Sequence, residues 1–145
     1  MTRLVNTQAH KAARNAASIA LADQGAANAT LRLYTALGGT LLAIRNLAKP
    51  CGTVRPADGR IVLAMGSGDE VATATGSALW GEWCDGSGVS ISVGRVTDVN
   101  GNFTDGFGQV VPDPEGLGPF VLGGGAPGTM VYAGGLVLLH AGVIG

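Results

Sequence analysis

The chain has 145 residues, a formal net charge of −1, 25 glycines and only 13% charged side chains, against about 25% in ordinary soluble domains. A single domain of this length buries roughly two thirds of its unfolded surface, and so weakly charged an exterior points to some of it being covered by a partner. The glycines fall mostly after Gly38 without the every-third-residue period of collagen, which excludes a fibrous chain and favours the turns and bulges of a β protein.

Residues 7–24 carry the one convincing helical pattern. Ala9, Ala12, Ala13, Ala16, Ala17 and Ala20 follow the 3.6-residue spacing, with Lys11, Arg14, Asn15 and Ser18 largely opposite. Asn6 or Thr7 is placed to cap the start, and Gly25 to end the helix with a positive φ. A face made of alanine buries little area, so the helix needs close packing, and residues 1–28 read as an appended basic arm. From Ala29 the period shortens to that of strands. TLRLYTAL ends at Gly38-Gly39, TLLAIRNL runs to Leu47, Pro50, Gly52 and Pro56 punctuate a loop, and RIVLAM closes at Met65. GSGDEVAT then reads as a turn.

The stretch from Thr75 to Asp98, TGSALWGEWCDGSGVSISVGRVTD, holds both tryptophans. Asp85-Gly86 predicts a tight hairpin, and the period of two puts Val89, Ile91 and Val93 on one face of the outgoing strand. Trp80 and Trp83 differ in parity, so a strand sends them to opposite faces. If one fills the core, the other, provisionally Trp80 beside Glu82, needs cover from a further element or a further chain. A second reversal at Asn100-Gly101 leads into NFTDGFGQVV, residues 112–119 form an irregular loop, and FVL, TMVY and GLVLLHAGV supply closing strands. Seven to nine short strands fit a mainly β fold, a jelly-roll-like antiparallel β-sandwich over residues 29–145 with a short N-terminal helical arm. The charge-poor tail TMVYAGGLVLLHAGVIG is short for a membrane span and rich in Gly, and reads as a buried strand pair.

Charge is divided along the chain. Residues 1–60 hold eight basic side chains against Asp23 and Asp58, net +6, whereas residues 61–145 hold Arg95 alone against eight acids, net −7. Such a chain can attract copies of itself or dock its front on an acidic partner. The dispersed basic residues, with Tyr34 as their one tyrosine, do not suit nucleic acid. Cys51 and Cys84 lack metal or redox spacing and read as free buried thiols, in a chain whose start lacks a secretion signal.

Motifs for chemistry are sparse. Gly123 to Gly128 satisfies G-x-G-x-x-G, but no helix pattern follows and Pro127 sits inside it, so it reads as a β loop. Asp98, Asn100 and Asn102 have the spacing of calcium ligands, yet Phe103 and Gln109 stand where a calcium loop needs Gly and Glu. A turn with Asx-type hydrogen bonds is the expectation. Glu82, between the tryptophans, is the one candidate for a desolvated acid and lacks a partner at a defined spacing. No enzyme, cofactor or metal is expected.

LRLYTALGGTLLAIRNLAKP followed by GSALWGEWCDGSGVSISVGRV resembles a family of small virion proteins from tailed bacteriophages. Leu31, Leu33, Tyr34, Thr35, Leu41, Leu42 and Ala43 match its first strand and turn; Ala78, Trp80, Asp85 and Gly86 match its aromatic strand ending in D-x-x-G. Size, low charge and glycine content also resemble the cement (head-decoration) proteins of HK97-type phage heads. The resemblance implies a jelly-roll protein in many copies on the capsid surface, bridging major capsid subunits, without direct nucleic-acid or membrane contact. A tail, neck or baseplate component and a carbohydrate-binding sandwich are the alternatives. The interface residues expected are Arg3, Lys11, Arg14, Trp80 and Glu82, with a homodimer preferred over a trimer.

Overall fold

The computed structural model describes residues 4–67, 71–124, 126–140 and 143–144; Arg3 and the middle of the 66–73 turn lie outside the described residues. Helix α1 (Gln8–Ala22) precedes β1 (Thr30–Tyr34), β2 (Leu41–Val54), β3 (Ile61–Met65), β4 (Gly76–Ser77), β5 (Trp80–Cys84) and β6 (Ser90–Asp98). Short strands complete the order: β7 (Asn102–Thr104), β8 (Val110–Pro112), β9 (Phe120–Leu122), β10 (Met130–Val131), β11 (Leu139–His140) and β12 (Val143–Ile144).

The protein is mainly β, as the patterning predicts, a curled sandwich with one N-terminal helix. Among the described residues, eight strands form one sheet in the order β11-β9-β6-β5-β1-β2-β3-β12, while β4 pairs with β10 and β7 with β8. All pairs are antiparallel except β6 with β9. Strands β11 and β12 occupy opposite ends of that order, yet His140 and Val143 are three peptide steps apart. The two edges therefore lie within about 11 Å of each other, and the sheet is curled nearly shut. Leu31, Leu33, Leu42, Leu47, Ile61, Trp83 and Val96 fill its interior.

The helix starts as expected: Thr7 is extended and its hydroxyl accepts the His10 N–H. Its packed side differs from the expectation. Asn15 and Ala22 are buried and Ala12 and Ile19 half-buried, while Ala9, Ala13, Ala16, Ala17 and Ala20 face solvent. The alanine periodicity identifies a helix without fixing its buried side. Ile19, which packs on the core, and the Asn15 amide, which donates to Gly59 O at 2.7 Å, fix it instead. Beyond the last turn, the Asp23 carboxylate accepts the Cys51 N–H at 3.1 Å, so the arm is docked on β2.

Strand β2 also departs from the expectation, running on through the predicted Pro50–Gly52 loop to Val54. Its pairing with β3 shifts register between Leu47 and Gly52, and Pro50, which has no N–H to give a ladder, falls inside that irregularity. Strand β6 does not keep Val89, Ile91 and Val93 on one face. Val96 is in the core and Ile91, the extra residue where the pairing with β5 shifts register, packs against it, whereas Val89 and Val93 are exposed. The facing pair Gly81 and Gly94 makes room for the segment leading into β9: a Cβ on Gly81 would lie 2.6 Å from the Phe120 ring, and one on Gly94 2.5 Å from Pro119 Cγ.

Four reversals share one construction. In each, an Asp is followed three residues later by a Gly with φ between 79° and 84°: Asp85–Gly88, Asp98–Gly101, Asp105–Gly108 and Asp113–Gly116. The Gly N–H donates to the Asp carbonyl at 2.9–3.1 Å. The Asp Oδ1 accepts the N–H two residues on in all four, and also the one four residues on in the first three, each at 2.9 Å. A type I turn followed by a left-handed Gly is a three-to-five-residue hairpin device. The first hairpin is therefore longer than the tight Asp85-Gly86 reversal, and Gly88, not Gly86, adopts the positive φ. The Asx-turn expectation at Asp98 holds, and its other oxygen, Oδ2, accepts Gly128 N–H at 2.7 Å.

Candidate interaction surfaces

Strand β5 alternates half-buried Trp80 and Glu82 with buried Gly81 and Trp83. Cys84 is buried too, in unbroken register with β1, while the bulge in the β5–β6 pairing falls at Ile91 of β6. Trp83 is 1% exposed and belongs to the core; Trp80 and Glu82 share the outer face. On that face Trp80 stands between Tyr34 of β1 and Arg95 of β6, and Glu82 between Arg32 and Val93. The Cys84 thiol lies 3.7 Å from Glu82 Oε2.

Beside Trp80 the sheet is overhung by residues 113–119, and the two enclose an open pocket of about 450 Å³. Its walls include Trp80, Arg95, Asp113, Glu115, Leu117 and Pro119. The wall is braced. Asp113 is buried, its Oδ2 accepts Arg95 Nε, its Oδ1 accepts the Glu115 N–H, and its own N–H donates to Gly101 O at 2.9 Å. The Glu115 N–H, together with Arg95, holds the Asp113 carboxyl below the usual carboxylate range. Gly118 N–H adds a bond to Thr97 Oγ1 at 3.0 Å, and the Arg95 guanidinium lies 5.2 Å from the Phe103 ring centre.

A second concavity, about 320 Å³, is formed by the C-terminal segment expected to be a buried strand pair. Val131, Val137 and Leu139 do point inward. Met130, Tyr132, Leu136 and Leu138 alternate with them and are 38–65% exposed, and all four line this hollow. No charged side chain lines it. The segment is apolar on both faces because it meets the core on one side and opens outward on the other. Its strands are also two residues long, too short to bury a pair by themselves. The whole molecule exposes 7901 Å², against about 6,800 Å² for a compact monomer of 14.4 kDa. Leu4 and Val5, ahead of α1, are almost fully exposed and supply part of the excess.

Among the described residues, those expected at an interface lie on more than one surface, and Arg3 is outside the described residues. Lys11 is half-buried and Arg14 exposed on a helix that packs, through Ile19 and Ala22, on the side where Trp83 lies; Trp80 and Glu82 look the other way. Arg95, Asp113 and Glu115 stand outside the set of residues expected from the sequence. Arg95 is visible in the sequence as the lone cation after Arg60, and the repeated D-x-x-G spacing would have revealed the turn within 112–119. Cys51 and Cys84 are free and buried; burial first, then the Asp23 carboxylate, pushes the Cys51 thiol up to about 12.

Among the described residues no cluster of His, Cys, Asp and Glu is built to hold a metal ion, and no helix is long and apolar enough to cross a membrane. Compared with known proteins, the chain matches no family model, no curated protein and no solved structure.

Proposed function

We propose that the protein is a structural component of a tailed-phage virion, a cement protein that binds the assembled head and bridges major capsid subunits. The observation that carries this reading is the outward apolar hollow of Met130, Tyr132, Leu136 and Leu138. Contiguous exposed apolar surface of this kind marks a protein contact, and a core patch free of charge is what protein interfaces bury. The low charge content and the resemblance of residues 29–98 to small virion proteins support the same reading.

The mechanism is mass action. A protein that binds only the assembled shell stabilises that state in proportion to the logarithm of its free concentration over its dissociation constant. Free in solution, copies pair two-fold through the same face, the simplest closure for a self-complementary patch, and the shell competes with that pairing. The test is co-sedimentation of the purified chain with assembled shells, together with its copy number in intact particles. Retention at a copy number comparable to that of the capsid subunits supports the reading. Failure to sediment with shells, or a copy number matching a single ring of the neck or tail, overturns it.

A further inference from the structure

We propose that the pocket beside Trp80 is a binding site for one pyranose ring of a neutral carbohydrate. The site is separate from the apolar hollow, and the proposal does not rest on the virion reading. At about 450 Å³ the pocket falls in the size range of small-ligand sites, roughly 300–1,000 Å³. Trp80 is half-exposed, but its Nε1 is shut off from solvent and has no hydrogen-bond partner. What the indole offers the pocket is therefore carbon, a flat platform of the kind that takes the C–H face of a sugar ring.

Polar groups stand around that platform. Arg95, directly across from Trp80, spends its Nε on Asp113 and leaves the rest of a partly exposed guanidinium for a ligand. Glu115 is exposed on the opposite wall. A guanidinium donor and a carboxylate acceptor are complementary to the paired hydroxyls of a sugar. The bonds of Asp113 and Gly118 fix this wall before any ligand arrives, so little ordering entropy opposes binding.

Charge narrows the class. Asp113 cancels Arg95, and Glu115 leaves the pocket one negative charge in excess, which disfavours phosphate, nucleic acid and acidic sugars. On a particle carrying many copies, individually weak sites would add through multivalency.

The test uses the intact chain, with tryptophan fluorescence and saturation-transfer NMR. The probes are the methyl glycosides of glucose, galactose, mannose and N-acetylglucosamine, with glucuronate and inorganic phosphate as charged controls. The result expected is saturable binding of at least one neutral glycoside with Kd on the order of 1 mM. Trp80→Ala should weaken it at least about tenfold, Trp80→Phe less, and Glu115→Gln by a few-fold. Near-ultraviolet circular dichroism checks that each variant is folded, and the Phe variant serves if the Ala variant is not. No saturation by any neutral glycoside, binding unchanged in both Trp80 variants, or tighter binding of glucuronate or phosphate overturns the proposal. Self-association that falls with Trp80→Ala, with fluorescence indifferent to sugar, would also overturn it and give the face to a second copy.

Discussion

Replacing Asp98 by Ala should cost far more than the same change at Asp105, although both head the same turn. Asp98 is 2% exposed and its carboxylate accepts three backbone N–H groups, from Asn100, Asn102 and Gly128. The Gly128 N–H is buried and the Asn100 and Asn102 N–H groups are partly so; at about 1–1.5 kcal/mol for each bond lost, Asp98→Ala should lose about 3–4 kcal/mol. That is a large part of a total stability on the order of 5–15 kcal/mol. With a urea slope of about 2 kcal/mol/M, the midpoint should fall by about 2 M at unchanged slope. Asp105 accepts only two N–H groups, in a turn whose tip is exposed, where water can replace it; Asp105→Ala should lose about 1 kcal/mol or less. Asp98→Asn keeps one acceptor oxygen but turns an amide donor toward another donor, and should fall between the two. Urea unfolding of the three variants decides the matter. Equal losses at Asp98 and Asp105 would refute the argument that burial, and not the turn motif, sets the cost. The pH dependence has a definite sign. Burial alone would raise the Asp98 carboxyl, but its three backbone donors outweigh it and hold the group below the ordinary range. Its contribution is present above about pH 4 and is lost as acid protonates the folded state.

Trp83→Ala should destabilise the fold by about 3–5 kcal/mol, whereas Trp80→Ala should cost less than about 1.5 kcal/mol, as read by thermal unfolding. Leu136→Asp combined with Leu138→Asp should abolish co-sedimentation with shells while moving the melting temperature by only a few degrees, because both side chains already face solvent. Burial lifts the Cys51 thiol to about 12 and the Cys84 thiol to about 11, above the unfolded value of about 8.5, so stability is fully present below that value. It should decline as pH rises from about 9 toward 11–12, and Cys51→Ala should flatten that decline in denaturant titrations at pH 8 and 10.

Local chemistry made much of this structure legible. The Thr7 cap, the strand at 61–65 and the opposite fates of the two tryptophans all follow from spacing within a few residues. What sequence could not supply was set by contacts between distant positions. Which side of α1 is buried depends on Gly59, 44 residues from Asn15. The room that Gly81 and Gly94 leave in β5 and β6 is taken by Phe120 and Pro119, which come from a distant segment. The outward apolar hollow was hidden for a related reason. A period-two pattern tells inside from outside only when one face is polar, and Met130 to Leu139 is apolar on both. The pocket beside Trp80 draws on β5, β6 and a loop beyond them, and its key pair, Arg95 and Asp113, is brought together only by the fold.

The near-closure of the sheet has a consequence for how the chain reaches this state. Hairpins such as β5–β6 and β7–β8 join neighbouring segments and can form within about 1–10 μs. The pairing of β12 with β3 instead joins Val143 to Val62, 81 positions apart. That join carries the largest loop-closure cost in the sheet and belongs to the slow, millisecond-to-second class of long-range β contacts. Until it forms, β3 stands as an open edge with unpaired backbone groups, which any second unfolded chain can add to. Refolding is then a race between completing the sheet within one molecule and joining two. Since only the second depends on concentration, recovery of natively folded protein should fall and aggregate should rise as the refolding concentration is raised, a trend light scattering would follow directly.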